Sequence, residues 1–181
     1  MLHVTCYTPM TFVVPNKILN QLGLRENMTA ADFGCGSGGW VIPLAVLLEK
    51  GRVFAVDLQE DVLSSLAGRV KQEGIFNIKT ILANMENGVP EIKSFSCGLV
   101  LMTNLLFQVD EKVVVFKEAN RVLDKGGKLL VVDWKLDSAL GPKEGKVSAD
   151  ELKKIAQETG FRLEKEINAG DYHYALVFTK A

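Results

Sequence analysis

The segment ADFGCGSGGW, residues 31–40, constrains the fold of this chain more than any other stretch. It joins a short apolar segment, TAADF, to a helix-like segment, WVIPLAVLLEKG, through a glycine-rich turn. Gly34, Gly36 and Gly39 match the spacing G-x-G-x-x-G of a dinucleotide-binding turn, whereas the same stretch taken through Gly38 is D-x-G-x-G-x-G. Because side chains would keep the backbone away from a ligand, such glycines predict a ligand-binding loop between a strand and a helix.

Strand-like and helix-like patterns alternate along the rest of the chain. The apolar segments RVFAVD, NIKTIL, CGLVLMT and KLLVVDW are separated by segments with helical spacing, among them DEKVVVFKEANRVLDKGG. Ser148 precedes Glu151 by three residues, which is the spacing of a helix capping box. FRLEKEI and YHYALVFTK are separated only by NAGD, which predicts an antiparallel hairpin. This order predicts a doubly wound α/β domain that binds ligands beyond the carboxyl ends of its strands.

Length and composition limit the classes of protein to which the chain can belong. A chain of 181 residues with 48% hydrophobic and 24% charged residues is expected to form one soluble domain over residues 1–181. The net charge of −1 disfavours nucleic acid as the main partner. No apolar run reaches the roughly 18 residues of a membrane span, and the amino terminus does not resemble a signal peptide. Three cysteines without C-x-x-C spacing predict a cytoplasmic protein without a zinc site.

Asp32 decides which ligand the glycine loop is expected to hold. In a site of reduced dielectric, its carboxylate would repel a pyrophosphate but attract the ammonium and sulfonium groups of S-adenosylmethionine. Asp57 follows Gly36 by 21 residues and ends the next strand, where an acid can accept hydrogen bonds from the ribose hydroxyls of either cofactor. The later segments complete one sheet and leave no separate substrate domain for a dehydrogenase. The sequence therefore favours S-adenosylmethionine.

Taken together, the motifs resemble class I S-adenosylmethionine-dependent methyltransferases of the type 11 or type 25 small-molecule group. ADFGCGSG is similar to the first motif of that family and VFAVD to its second, and ILANMENGVP resembles the loop that brackets adenine. LVLMTNLLFQVDEKVVVFKEANRVLDKGGKLLVVDW resembles the block of fourth strand, helix and fifth strand. The resemblance covers roughly residues 15–181 and implies a Rossmann-like seven-stranded sheet of order 3-2-1-4-5-7-6, with strand 7 antiparallel.

The resemblance implies a cofactor site at the glycine loop and at the ends of the following strands. Asn84 stands where many members carry Asp, and its amide oxygen can accept a weaker bond from the adenine amino group. Leu58 and Met85 are expected to form apolar walls for adenine, and Thr103 to lie near the methionine part. The expected cofactor-binding residues are Asp32, Gly34, Cys35, Gly36, Gly38, Asp57, Leu58, Asn84, Met85 and Thr103.

The side chains around the methyl acceptor are harder to assign. His173 is the histidine expected near the cleft and is the candidate general base, although a lone histidine in a strand is more often a packing residue. Residues 1–14, with Tyr7, Met10 and Phe12, are a candidate lid over the cofactor or a cover for a sheet edge. The candidates for contact with the acceptor are Asn104, Trp134, Lys135, Tyr172 and His173.

The favoured function is transfer of a methyl group from S-adenosylmethionine to a small-molecule or lipid-like acceptor by in-line displacement, with S-adenosylhomocysteine as the product. The sulfonium is already activated, so alignment and exclusion of water suffice and no catalytic residue is assigned. A non-catalytic S-adenosylmethionine-binding protein stays an alternative, because the family has no obligatory catalytic signature. A nicotinamide- or nucleotide-binding module is a weaker alternative because of Asp32.

Overall fold

The computed structural model describes residues 11–181, which build a seven-stranded sheet with helices on both faces. The strands are β1 (Thr29–Phe33), β2 (Arg52–Asp57), β3 (Ile78–Leu82), β4 (Cys97–Thr103), β5 (Leu123–Trp134), β6 (Phe161–Ile167) and β7 (His173–Lys180). The helices are α1 (Pro15–Leu19), α2 (Val41–Leu47), α3 (Glu60–Gln72), α4 (Lys112–Val122) and α5 (Ala149–Glu158), and two 3-10 turns span Met85–Asn87 and Leu106–Gln108.

The strand order is β3-β2-β1-β4-β5-β7-β6, as the family resemblance implied. β1 lies between β2 and β4 and is parallel to both, with Asp32 opposite Ala55 on one side and Leu101 on the other. β7 is antiparallel to both β5 and β6, and its first residue, His173, pairs with Trp134 at the end of β5. The doubly wound α/β class and the closing hairpin are therefore confirmed.

Alternate residues of the central strands pack into two apolar cores, one on each face of the sheet. Ala31 and Phe33 of β1 belong to the core that contains the buried side chains of α4 and α5. Ala30 belongs to the opposite core, which contains those of α1, α2 and α3. Because Asp32 follows Ala30 by two residues, its side chain lies on the α1–α3 face, within an otherwise apolar layer.

Local sequence signals account for the starts of α5 and α2 but not for the end of α4. Ser148 Oγ accepts the N–H of Glu151 at 3.1 Å at the start of α5, as a capping box requires. Pro43 lies in the first turn of α2, where its missing N–H removes no helical hydrogen bond. The prediction that α4 extends to a Lys-Gly-Gly end is wrong, because Leu123 already pairs with Cys97 and the glycines belong to β5. Within residues 11–181, no helix is both long and apolar enough to cross a membrane.

The first described residues run beside the hairpin of β6 and β7. Thr11 donates its N–H to Asp171 Oδ2 at 2.6 Å, and Asp171 returns its own N–H to the Thr11 carbonyl at 3.0 Å. The ring of Phe12 stacks on Tyr172 with 5.0 Å between centroids. The other residues of the predicted lid, Tyr7 and Met10, lie outside the described residues.

Candidate functional site

A cavity of about 440 Å³ lies beside the glycine loop, at the carboxyl ends of the parallel strands. Its walls come from the glycine loop, the end of β2, the turn Met85–Asn87, the end of β4 and the turn Leu106–Gln108. This is the edge at which a doubly wound sheet is expected to bind its ligands. Several residues predicted from the sequence line the cavity, namely Gly34, Cys35, Gly36, Asp57, Leu58, Asn84, Met85, Thr103 and Asn104.

The glycine loop is held tightly against β2 and the neighbouring turn. The N–H groups of Gly34 and Cys35 both donate to the carbonyl of Val56, at 2.8 and 3.0 Å. Gly34 has a φ of +73°, and a Cβ at this position would lie only 2.7 Å from Leu105 Cδ1. Gly34 is therefore required both by its left-handed backbone and by the close approach of the cavity wall.

Gly38 does not line the cavity, although the sequence predicted it to bind the cofactor. Its φ is +105°, and a Cβ would lie 2.7 Å from Ile42 Cδ1 and 2.8 Å from Leu66 Cδ1. This glycine allows α2 and α3 to pack closely beneath the loop. The structure therefore explains the D-x-G-x-G-x-G spacing at Gly38 by helix packing.

Asp57 connects the end of β2 to the glycine loop. Its Oδ2 atom accepts the N–H of Gly36 at 2.9 Å, and its Oδ1 atom accepts the N–H of Gln59 at 3.0 Å. Each carboxylate oxygen can accept more than one hydrogen bond, so both keep acceptor capacity toward the cavity. The arrangement can bind a pair of adjacent hydroxyl groups.

Asp32 lies beneath the loop, outside the cavity wall. It is 0% exposed, and neither of its carboxylate oxygens has a hydrogen-bond partner among residues 11–181. Burial raises the pKa of Asp32 well above its usual range, and the nearby Asp57 carboxylate raises it further. Such a group is costly in the free protein, and a ligand that carries a cation would offset that cost.

The buried side-chain atoms that lack a hydrogen-bond partner in residues 11–181 gather at this end of the sheet. They are both oxygens of Asp32, Oδ1 of Asn104 and both ring nitrogens of His173. Because β7 is antiparallel, its first residue lies at the same edge as the ends of β1 and β4. Asn104 also has a φ of +52°, a backbone conformation that residues other than glycine rarely adopt. Such conformations are concentrated at functional sites.

Four of the predicted acceptor contacts lie outside the cavity. His173 is 3% exposed and packs against Trp134, with 4.0 Å between ring centroids. Burial, together with the charge of Lys135, lowers the pKa of His173 and favours the neutral ring at pH 7. Lys135 Nζ donates a hydrogen bond to the Gly170 carbonyl at 2.9 Å. The side chain of Tyr172 is buried. The roles of Trp134, Lys135, Tyr172 and His173 in acceptor binding thus stay predictions.

A second buried aspartate, which was not predicted from the sequence, supports the cavity wall. Asp133 Oδ2 accepts the N–H of Leu106 at 2.9 Å, and Asp133 Oδ1 accepts the N–H of Trp134 at 2.8 Å. These bonds attach the turn Leu106–Gln108 to the end of β5. An acid within the apolar segment KLLVVDW was the available signal. The cavity-lining residues that were also missed are Ser37, Gly39, Trp40, Gln59, Val62, Glu86, Leu105, Gln108 and Val109.

Cys35 contributes a small apolar surface to the loop. Its thiol pKa is raised, mainly by burial and also by the neighbouring carboxylates of Asp32 and Asp57, so the thiol is protonated. Within residues 11–181, no group of three or more His, Cys, Asp or Glu side chains is arranged to bind a metal. The site thus offers carboxylates, an amide and backbone groups as ligand contacts.

Comparison with known proteins identifies the same part of the chain. Residues 30–127, which contain the whole cavity lining, match the family model of a methyltransferase domain. A demethylmenaquinone methyltransferase from Staphylococcus aureus (strain MRSA252) is 30% identical over 118 residues, which are 65% of this chain and 47% of that protein. The chain thus spans about half the length of the relatives it matches.

Two solved structures are similar over nearly the whole chain. A SAM dependent methyltransferase from Aquifex aeolicus has a TM-score of 0.86 and 26% identity, over 94% of this chain and 91% of that one. A putative type 11 methyltransferase from Sulfolobus solfataricus has a TM-score of 0.75 and 22% identity, over 94% of each chain. At that lower identity the likeness concerns the fold alone.

Proposed function

Because the chain belongs to the S-adenosylmethionine-dependent methyltransferases, we propose that it transfers the methyl group of S-adenosylmethionine to a small organic acceptor. The observation that carries this proposal is the buried Asp32 carboxyl beneath the glycine loop, which has no hydrogen-bond partner within residues 11–181. A cationic ligand above the loop stabilises such a group, whereas a pyrophosphate destabilises it further. The ammonium and sulfonium groups of S-adenosylmethionine supply that charge.

The cavity residues fit the parts of this cofactor in order. Asp57 has acceptor capacity for the two ribose hydroxyls, and Leu58 and Met85 present apolar surface to the adenine ring. Asn84 Oδ1 already accepts the N–H of Glu86 at 2.9 Å, which leaves it one further lone pair for the adenine amino group. Thr103 and the glycine loop contact the methionine part.

The chain contributes alignment and exclusion of water to the reaction. S-adenosylmethionine supplies a methyl group that is activated by its sulfonium. The residues at the ends of β1, β2 and β4 hold that methyl group in line with an acceptor atom, which accounts for most of the rate increase that such a transfer needs. Asn104, whose buried Oδ1 has no hydrogen-bond partner within residues 11–181, lies at the point where the acceptor approaches and orients it by hydrogen bonding.

The acceptor is a small, largely apolar molecule. Leu136 and Leu140 are exposed on the segment that follows β5, at the same edge of the sheet as the cavity. The similar Staphylococcus aureus protein is a demethylmenaquinone methyltransferase, which makes a quinol the first acceptor to test. We also propose a cytoplasmic location, since Cys35 and Cys97 are free buried thiols of the kind that reducing compartments preserve.

Turnover distinguishes this proposal from its alternative. The purified protein is incubated with S-adenosylmethionine and either demethylmenaquinol or a fractionated small-molecule extract, and S-adenosylhomocysteine and methylated products are measured by mass spectrometry. Formation of both in equal amounts is expected. Tight binding of S-adenosylmethionine without turnover on any acceptor favours the non-catalytic binding protein. Failure to bind S-adenosylmethionine in calorimetry contradicts the proposal altogether.

A further inference from the structure

The turn Met85–Asn87 is a rigid unit in the cavity wall whose position is set from its two ends. The turn is closed by its own hydrogen bonds, from Asn87 N–H to the Asn84 carbonyl at 2.9 Å and from Gly88 N–H to the Met85 carbonyl at 3.2 Å. At its first end, Ala83 N–H donates to the carbonyl of Asp57 at 3.0 Å. The residues that follow the turn are held in place by a separate set of hydrogen bonds.

An ion pair on α4, between Glu118 and Arg121, forms these hydrogen bonds. Glu118 is 9% exposed, and its Oε1 atom accepts the N–H of Val89 at 2.6 Å, directly after the turn. Arg121 Nη2 donates to the carbonyls of Val89 and Ile92 at 3.0 and 2.9 Å, and Nη1 donates to Ser94 Oγ at 3.1 Å. One pair of side chains thus binds the segment that follows the turn at four atoms.

The pair itself is held in one geometry. Arg121 Nε donates to Glu118 Oε2 at 2.8 Å and Nη2 donates to Oε1 at 2.7 Å, which is the two-pronged arrangement that makes such pairs specific. The hydrogen bonds from Arg121 also hold the pKa of Glu118 below its usual value and keep the carboxylate ionised. An exposed ion pair of the same i,i+3 spacing would contribute little to stability. The pair of Glu118 and Arg121 also forms hydrogen bonds to the backbone of the segment after the turn.

We propose that Glu118 and Arg121 are positioning residues, which hold the turn Met85–Asn87 where it recognises the adenine ring of the cofactor. This inference rests on the proposed function. A second tie to the same helix supports it, because Glu86 Oε1 accepts the N–H of Glu111, at the start of α4, at 2.7 Å. α4 thereby sets the distance between the adenine wall and the glycine loop.

The test compares two ligands that differ at the adenine amino group and at the adjacent ring nitrogen N1, which carries a proton only in the second. Dissociation constants are measured by calorimetry for S-adenosylhomocysteine and for S-inosylhomocysteine, in which a carbonyl replaces that amino group. Asn84 accepts a hydrogen bond only from the first ligand, so the wild-type protein is expected to prefer it by about tenfold. Arg121→Lys keeps the positive charge but loses the planar fork, and it is expected to bring this ratio close to one.

A matched control separates positioning from general stability. Lys153 forms an i,i+3 ion pair with Asp150 on α5, which packs on the same face of the sheet but does not line the cavity. Lys153→Gln should therefore leave the ligand ratio unchanged. Glu118→Gln is the second variant should Arg121→Lys not fold, and circular dichroism checks every variant.

The outcomes of this experiment are distinct. An unchanged ratio in folded Arg121→Lys and Glu118→Gln overturns the inference. A wild-type protein that binds both ligands equally also overturns it, because the turn then does not recognise the amino group, yet the proposed function stands. A wild-type protein that binds neither ligand overturns the proposed function and the inference with it.

Discussion

Replacing Asp32 by Asn should raise the stability of the ligand-free protein while lowering its affinity for the cofactor. The Asp32 carboxyl is 0% exposed, lacks a hydrogen-bond partner within residues 11–181 and lies near the Asp57 carboxylate. An unsatisfied buried group costs about 1–3 kcal/mol, and more when it is charged. Asn has nearly the same volume and removes the charge but stays an unsatisfied polar group, so the gain is the additional cost of the charge. We expect Asp32→Asn to raise the free energy of unfolding by about 1–3 kcal/mol at pH 8. Each kcal/mol should raise Tm by about 2–4 °C.

The stability that Asp32→Asn gains over the wild type should increase with pH. The pKa of Asp32 in the folded protein is raised above the value of 3.8 that applies to the unfolded chain. Below the unfolded value the group is protonated in both states, and its cost is absent. As the pH rises from the unfolded value to the folded pKa, the unfolded chain releases its proton while the native state keeps it, so stability falls until the folded pKa is passed. The difference between the variant and the wild type should therefore be small near pH 4 and largest at pH 8.

The affinity of the Asp32→Asn variant for S-adenosylmethionine should be lower than that of the wild type. At an effective dielectric constant of about 20, opposite charges about 6–10 Å apart attract by about 1.5–3 kcal/mol, so Asp32→Asn should weaken S-adenosylmethionine binding by about 10- to 100-fold. Calorimetry gives the affinity, and thermal unfolding from pH 4 to 8 gives the stability. Asp133→Asn is the control, because Asp133 is equally buried but accepts backbone N–H groups, so its replacement should destabilise the protein. A variant at Asp32 that is less stable and binds normally would refute the argument.

Three further predictions concern the cofactor and the candidate base. S-adenosylmethionine should raise Tm and NAD should not, and the reverse result in a thermal shift assay would exclude the proposed cofactor. Asp57→Ala removes the proposed acceptor of the ribose hydroxyls and frees the N–H groups of Gly36 and Gln59, so cofactor affinity should fall by about tenfold or more with the fold intact by circular dichroism. If His173 is the base, His173→Gln should lower turnover by about 10²-fold with unchanged cofactor affinity. A variant that loses stability but keeps its rate per folded molecule would assign His173 to packing against Trp134.

Several features of the fold and the site followed from the sequence alone. The alternation of apolar segments and helical spacing predicted the doubly wound α/β class, the family resemblance implied the sheet order, and ADFGCGSGGW predicted the loop beside the cavity. Asp57 was placed at the cavity because it ends a parallel strand, and the family resemblance placed Asn84 and Thr103 there. These features depend on local propensity and on strand direction, which are written into short stretches of chain.

The tertiary structure alone decided what surrounds each of these side chains. The sequence placed Asp32 at the glycine loop and His173 near the cleft, but only the packing of α1–α3 and of Trp134 determined that both are buried without hydrogen-bond partners within residues 11–181. The bonds from Asp133 to Leu106 and from Glu118 to Val89 span 27 and 29 residues, and no pattern of neighbouring residues specifies them. Burial, pKa and hydrogen-bond partners are set by contacts between distant segments, and these arise only when the whole sheet has formed.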